Sequence, residues 1–219
     1  MRVIIVCQEA VLVEGIQCLL SEFGDQIEIV GTTDSGREGI ELAREKSPEV
    51  AIVGLTLTDL NGVDTTSALV ADDPELRVLI LAANPKEEPL QELLAAGARG
   101  YLTTTSTAEE LAHALELLAD GKSYLSPETT DVLLGQQFGG EPRSEDPVYA
   151  KLTPREREVL QLLANGSGTK EVAHDLGISS KTVDSHRRNI MEKLETDNLP
   201  DLVRHAIRAG LCSLEPDGV

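Results

Sequence analysis

Short apolar runs alternate with longer segments of helical pattern over the first part of the chain. Five such runs occur, at 2–7, 27–32, 50–55, 77–83 and 100–102. Three of them are apolar at successive positions, which is typical of strands buried on both faces of a parallel sheet. The alternation predicts an α/β domain of (βα)5 type at residues 1–125.

Two helices of this domain have clear N-terminal signals. Segments 35–38 and 107–110 match the capping box, in which a Ser or Thr hydroxyl accepts from the third helical amide and a Glu reaches back to the cap amide. These signals predict helices over 36–46 and 108–120.

The pattern changes after Gly121. Ser126 and Pro127 predict a short helix that extends to about Phe138. The following stretch, GGEPRSEDP at 139–147, contains two Gly, two Pro and almost no apolar residue. We therefore assign 126–150 to a linker with a short helix.

Residues 151–219 contain only helical patterns and predict an all-α domain of four helices. The first begins at Thr153, a capping-box residue followed by Pro154, and ends near Gly166. The others are expected over about 169–176, 180–195 and 198–210. A short helix, a turn with Gly177 and a longer helix form a helix-turn-helix, whose second helix lies in the major groove of DNA.

The charge is distributed unevenly. The chain has a net charge of −19, and residues 1–125 hold 8 Lys or Arg against 22 Asp or Glu. Residues 151–219 hold 10 basic against 11 acidic side chains. The first domain should therefore repel DNA, whereas a polyanionic partner is compatible with the last one.

Other classes of protein are disfavoured. No apolar run approaches the ~20 residues of a membrane span, and no cleavage site follows the first apolar run. Cys7, Cys18 and Cys212 are too few and too scattered for a disulfide framework or a zinc site. We expect a soluble cytoplasmic protein without membrane association, metal or cofactor.

The third helix of the last domain has two different faces. Val183, Ile190 and Leu194 fall on an apolar face at helical spacing. The opposite face carries Lys181, Asp184, Ser185, Arg188 and Glu192. By spacing alone, this polar face is equally consistent with a solvated helix surface and with contact to bases or phosphates.

The residues of this domain resemble the LuxR-type DNA-binding domain. The resemblance rests on LTPREREVLQLLANG at 152–166, KEVAHDLGIS at 170–179 and KTVDSHRRNIMEKL at 181–194. It implies double-stranded DNA as the partner, with Asp184, Ser185 and Arg188 facing the major groove. It places four other residues near the DNA backbone: Lys181, Thr182, His186 and Arg187.

Two of these positions are open to more than one interpretation. Asp184 departs from family members that carry Lys there; an Asp repels phosphate but accepts from cytosine N4. His186 lies between the two faces of its helix, where a packing role is favoured over contact with DNA.

A five-unit βα domain upstream of this module resembles the receiver domain, and the whole chain resembles the NarL/FixJ class of response regulators. The resemblance implies a flavodoxin-like fold with strand order 2-1-3-4-5 and a site at the carboxyl ends of strands 1, 3 and 4. In that family, an acidic pair and an Asp together bind Mg²⁺, and the Asp accepts the phosphoryl group. A Ser or Thr and a Lys complete the site.

All five functional positions of that family are replaced in this chain. The acidic pair corresponds to Cys7 and Gln8, the phosphoacceptor to Gly54, the hydroxyl position to Ala82 and the lysine to Thr104. Because Mg²⁺ is bound mainly through carboxylates and phosphates, we expect conventional phosphorylation to fail and no enzymatic activity to be present.

Neighbouring residues leave two alternatives. Asp59 lies in the loop beyond the third strand. It is either a substitute phosphoacceptor or an ordinary solvated loop residue, and the second interpretation is favoured. Cys7 is either a reactive thiol or a small buried apolar residue, and no nearby cation favours the thiolate.

These observations predict a transcriptional regulator with a degenerate receiver that acts without phosphorylation. We expect a homodimer that pairs through the fourth helix, whose apolar residues either form that contact or close the domain core. They are Leu202, Val203, Ala206 and Ile207. The alternatives are a regulator that binds a protein partner with little DNA affinity, and a receiver pocket that binds a small ligand in the uncharged space at Gly54 and Ala82.

Overall fold

The computed structural model describes residues 1–83, 89–138 and 147–212. The chain forms two compact units, Met1–Arg143 and Ser144–Val219. Each unit has its own apolar core.

The first unit is a parallel six-stranded sheet of order β2-β1-β3-β4-β5-β6. Its strands are β1 Arg2–Val6, β2 Glu28–Thr33, β3 Val50–Gly54, β4 Arg77–Ala82, β5 Gly100–Thr103 and β6 Tyr124–Leu125. The predicted flavodoxin-like order is confirmed. The sequence analysis missed β6, because two residues are too short to show a period; they pair with Gly100 and Tyr101 at the edge of the sheet.

Helices connect the strands. They are α1 Ala10–Ser21, α2 Gly36–Lys46, α3 Gly62–Asp72, α4 Leu90–Ala95, α5 Ala108–Ala119 and α6 Pro127–Phe138, with a 3₁₀ turn at Gly24–Gln26. The capping box at Thr107 is complete. The one predicted at Ser35 is half formed, because the Glu38 carboxylate accepts from the Thr33 hydroxyl at 2.7 Å instead of from the cap amide.

The central strands are buried on both faces, as their apolar runs predict. Every residue of β3 is buried, and β1 is buried from Val3 to Val6. Parallel strands covered by helices on both sides leave their carboxyl ends as the accessible edge for a site.

The second unit is all-helical. Its helices are α7 Pro147–Lys151, α8 Pro154–Ala164, α9 Thr169–Asp175, α10 Ser180–Lys193 and α11 Leu199–Arg208. The last four correspond to the four predicted helices. Its core includes residues of every helix, among them Val148, Val159, Val172, Val183 and Leu202.

The structure differs from the sequence analysis over the segment 126–150. Ser126 and Thr129 are buried in the first unit, where their hydroxyls lie 2.8 Å apart. Val148 is fully buried in the second unit, and the Tyr149 hydroxyl donates to the Ala209 carbonyl at 2.9 Å. The predicted linker therefore carries helices of both units at its ends. Most of the Gly- and Pro-rich stretch, 139–146, lies outside the described residues.

Candidate nucleic-acid interface and strand-end site

The turn between α9 and α10 has a defined geometry. Gly177 adopts a positive φ of 63°, a conformation that favours glycine, and its amide donates to the His174 carbonyl at 3.1 Å. Ser179 then caps α10 by accepting from the Thr182 amide at 3.1 Å. This turn sets the direction in which α10 leaves α9.

The two faces predicted for α10 are present. Val183 and Ile190 are fully buried and Leu194 is nearly so. The residues of the predicted DNA-facing surface are exposed, except that His186 and Arg187 are half-buried. The exposed ones are Lys181, Thr182, Asp184, Ser185 and Arg188. The apolar face thus holds the helix in the domain and leaves the polar face free.

The exposed side chains of α10 differ in how they are engaged. The Ser185 hydroxyl donates to the Lys181 carbonyl at 3.0 Å, within the helix. Within the part of the chain that the structure describes, the carboxylate of Asp184 and the guanidinium of Arg188 make no hydrogen bond or ion pair. One acceptor group and one donor group, one helical turn apart, therefore have no hydrogen-bond partner among the described residues.

His186 does not belong to the fully exposed part of this surface. Its ring is half-buried, and Nδ1 is inaccessible to solvent and has no hydrogen-bond partner among the described residues. This placement supports the packing role over contact with DNA.

A buried carboxylate connects α10 to α8. Lys193 Nζ donates to Oε1 and Oε2 of Glu156 at 2.8 and 2.6 Å, and the Thr153 amide and hydroxyl also donate to Oε2. Burial by itself raises the pKa of Glu156, but the bonds from Lys193 and Thr153 outweigh it and hold that pKa below its usual range. Sequence reasoning found the capping role of Glu156 and missed Lys193, which lies 37 residues away.

Two arginines of α8 complete the support. Arg155 donates to the Leu176 carbonyl at 2.7 Å, next to the turn before α10. Arg157 is buried; it donates to the Leu152 carbonyl at 2.7 Å and lies over the Tyr149 ring at 5.2 Å from its centroid. These contacts bind α7 and α9 to α8. The helices against which α10 packs, α8 and α9, are therefore joined to each other.

The positions aligned with a receiver site come together at the carboxyl edge of the sheet. Cys7 follows β1, Gly54 ends β3, Ala82 ends β4 and Thr104 follows β5. A Cβ at Gly54 would lie 3.6 Å from Cys7 Sγ, an ordinary van der Waals distance, and the Thr104 amide donates to the Ala82 carbonyl at 3.0 Å. The half-buried Gln8 is next to Cys7 in the chain.

The Cys7 thiol is shielded. It is 4% exposed, and Sγ donates to Glu9 Oε2 at 3.1 Å. Burial, followed by the hydrogen bond and the negative charge of Glu9, raises the pKa of Cys7 to about 12. A thiol that remains protonated at neutral pH is a poor nucleophile, which supports the interpretation of Cys7 as a buried apolar residue.

Asp59 has a structural role that sequence reasoning missed. Its Oδ1 accepts from the Gly36 amide at 2.7 Å, and its Oδ2 accepts from the Ser35 hydroxyl at 2.8 Å. Arg37 Nε lies 3.6 Å from Oδ2. The carboxylate therefore satisfies the first turn of α2, where a helix N-terminus favours negative charge.

Hydroxyl groups follow β5. Thr103 is buried, and its Oγ1 lies 2.8 Å from Thr105 Oγ1, whereas Thr104 is exposed. These groups organise the turn into α5. Across the described ranges, no three His, Cys, Asp or Glu side chains are grouped to hold a metal, and no helix combines the length and apolar character of a membrane span.

Family models match both units. Residues 3–116 match the response regulator receiver domain. Residues 150–206 match the bacterial regulatory proteins of the luxR family. The second match covers α8 to the greater part of α11 and includes the whole of α10.

Curated relatives match over nearly the whole chain. The transcriptional regulatory protein MctR of Rhizobium johnstonii is 31% identical over 212 residues, which are 97% of this chain and 95% of MctR. The oxygen regulatory protein NreC of Staphylococcus carnosus is 33% identical over 215 residues, covering 96% of this chain and 99% of NreC.

Solved structures have the same architecture. RcsB of Salmonella enterica serovar Typhimurium, bound to a promoter in the presence of a phosphomimetic, matches with a TM-score of 0.60 and 25% identity, over 94% of this chain and 97% of RcsB. ChrA, a response regulator of a heme-sensing two-component system, matches with a TM-score of 0.53 and 27% identity, over 96% and 98%. The chain belongs to the NarL/LuxR family of response regulators and is a DNA-binding transcriptional regulator with a receiver domain and a LuxR-type helix-turn-helix.

Proposed function

We propose that this response regulator binds DNA without phosphorylation of its receiver domain. The observation that carries the proposal is the composition of the strand-end site: the positions gathered there are Cys7, Gln8, Gly54, Ala82 and Thr104. None of these side chains bears a charge at neutral pH.

This composition opposes each requirement of phosphoryl transfer. Mg²⁺ prefers carboxylate and phosphate oxygens, which neither the protonated Cys7 thiol nor the Gln8 amide supplies. Gly54 has no nucleophile. Thr104 brings a hydroxyl where a cation would neutralise the phosphoryl oxygens. Gly54 has room for a Cβ, so the backbone alone does not exclude an acid there.

Asp59 does not replace the missing acceptor. Both of its carboxylate oxygens accept hydrogen bonds at the start of α2, at 2.7 and 2.8 Å. Phosphorylation would turn one of these oxygens into the bridging oxygen of an acyl phosphate and disturb the hydrogen bonds at the start of α2. Asp59 therefore acts as a structural group.

The test is intact-mass measurement after incubation with Mg²⁺ and acetyl phosphate, with a receiver domain that retains its acidic residues as the control for an active phosphodonor. We expect no added phosphate and no change in DNA affinity with beryllofluoride. An adduct of one phosphate would overturn the proposal, and peptide mapping would identify Asp59 or another acceptor.

The N-terminal part of the polar face of α10, from Lys181 to Arg188, is the proposed DNA-reading surface. Asp184, Ser185 and Arg188 would face base edges, and Lys181, Thr182 and Arg187 would lie near the phosphates. Exposure of this face and the anchoring of its opposite face support the assignment. Electrophoretic mobility shift with genomic fragments, without any phosphodonor, tests it: saturable, sequence-dependent binding is expected, and its absence would favour a regulator that acts only on a protein partner.

We further propose that two copies bind together through α11. Leu202 and Ala206 are fully buried and close the core, and Ile207 packs against it. Val203 is half-buried and lies outside that core, and Leu199 is 40% exposed. One helix-turn-helix reads only a few base pairs, so a symmetric dimer on an inverted repeat is expected, with half-site centres about one helical turn apart.

A further inference from the structure

The exposed carboxylate of Asp184 stands in the N-terminal half of α10. The helix begins at Ser180, and Asp184 is in its second turn, where it is exposed while Val183 and Ile190 are buried. In a helix-turn-helix, the N-terminal residues of the second helix contact base edges. Asp184 is therefore among the residues of α10 placed to contact base edges.

This carboxylate makes no hydrogen bond or ion pair with another described residue. Lys181 lies three residues before it and Arg188 four residues after it, yet it pairs with neither in the described part of the chain. The negative charge is thus presented to the groove, where phosphates repel it. Only a base edge that donates hydrogen bonds compensates it.

The four bases differ in what they present in the major groove. Guanine presents two acceptors, thymine an acceptor and a methyl group, and adenine an acceptor beside its amino group. Cytosine itself presents only the N4 amino group, a donor, and no acceptor in the major groove, so it is the base with which a carboxylate pairs. The hydroxyl proton of the adjacent Ser185 is used on the Lys181 carbonyl, so Ser185 has no proton left to donate to the Asp184 carboxylate.

We propose that Asp184 is a specificity-determining residue that selects a cytosine in each half-site by accepting from its N4 amino group. The inference rests on the proposed docking of α10 in the major groove. Asp184 also weakens binding to DNA that lacks this cytosine, because the unpaired carboxylate then faces acceptors and phosphates. It therefore increases the ratio of specific to non-specific affinity.

The test is selection of bound sites from random double-stranded DNA with the full-length protein, for the wild type, Asp184→Ala and Glu192→Ala. Glu192 is the matched control, since it is an exposed carboxylate on the same helix two turns further along. The wild-type motif should contain a cytosine that is preferred by roughly tenfold. Asp184→Ala should lose the preference at that position alone and bind random DNA more tightly, while Glu192→Ala should keep the wild-type motif.

A second variant changes the chemistry and keeps the shape. Asn donates and accepts, and it pairs with adenine N6 and N7. Asp184→Asn should therefore admit adenine at the position where the wild type selects cytosine.

The outcomes separate this inference from the proposed function. If the wild type enriches no sequence, the proposed docking of α10 is wrong and the cytosine contact falls with it. If the wild type enriches a motif that Asp184→Ala and Asp184→Asn leave unchanged, α10 still reads DNA and only the role of Asp184 is overturned. Equal thermal stability of all variants, measured by circular dichroism, confirms that they fold.

Discussion

Lys193 Nζ lies within 2.8 Å of both carboxylate oxygens of Glu156, and this contact holds the last turn of α10 against the first turn of α8. Glu156 is 4% exposed. The proposed DNA-reading helix is therefore positioned at its C-terminal end by an ion pair with a buried carboxylate and along its length by apolar packing.

Removing Lys193 should loosen α10. Lys193→Met leaves the Glu156 carboxylate buried without its cation. We expect the free energy of unfolding to fall by about 2 kcal/mol, which corresponds to roughly 30-fold faster hydrogen exchange of the α8 and α10 amides. Lys170→Met, which removes an exposed lysine from α9, is the control and should leave exchange unchanged. Equal protection in both variants would show that the pair contributes nothing to stability.

The same pair predicts a pH dependence. Because the pKa of Glu156 is lowered in the folded state, its contribution to stability is present above the usual pKa of a glutamate, about 4.3, and is lost as the pH falls through the folded-state pKa. The free energy of unfolding of the wild type should therefore decrease on acidification more steeply than that of Glu156→Gln. Urea denaturation from pH 3 to pH 7 measures the difference, and parallel profiles would contradict it.

The thiols should differ in reactivity. Cys7 is buried with its pKa raised to about 12, whereas Cys18 is exposed. At pH 8 an alkylating reagent should modify Cys18 in the native protein, and Cys7 only after unfolding. Mass mapping of the modified peptides measures this, with Cys18→Ser as the control for the assignment. Rapid native modification of Cys7 would revive a reactive role for that thiol.

Arg188 should contribute directly to DNA affinity. If the guanidinium contacts a base, Arg188→Ala should weaken the free energy of DNA binding by about 1–3 kcal/mol. If it holds a phosphate, the substitution should weaken binding to all sequences equally and reduce the slope of log K against log salt by about one. Arg44→Ala makes the same change of charge in the receiver domain, where Arg44 pairs with Asp72, and should have little effect. Fluorescence anisotropy at several salt concentrations distinguishes these two results, and unchanged affinity in a folded Arg188→Ala variant would remove Arg188 from the interface.

Val203 should matter for pairing and not for folding. Val203→Asp adds a charge on the half-buried face of α11 and should reduce affinity for an inverted repeat without unfolding the domain, whereas Leu202→Asp should unfold it because Leu202 is fully buried. Analytical ultracentrifugation with DNA and circular dichroism measure the two effects. Tight binding of a monomer to a single half-site would contradict the dimer.

The sequence by itself determined the two folds and the division of α10 into two faces. Both follow from periodicity: successive apolar residues in β1 and β3 require burial on both faces, and Val183 and Ile190 recur at helical spacing. The resemblance to a receiver domain placed the uncharged residues at the strand ends, and the carboxyl ends of parallel strands share one edge.

Only the tertiary structure decided which polar groups are engaged. The Lys193–Glu156 pair and the contact of Asp59 with the start of α2 join residues 37 and 23 positions apart, and no local period encodes such pairs. Likewise, α7 is too short for a helical pattern and owes its place to the burial of Val148 and the bond from Tyr149 to Ala209. Such contacts depend on how separate elements pack, and local sequence constrains packing only weakly.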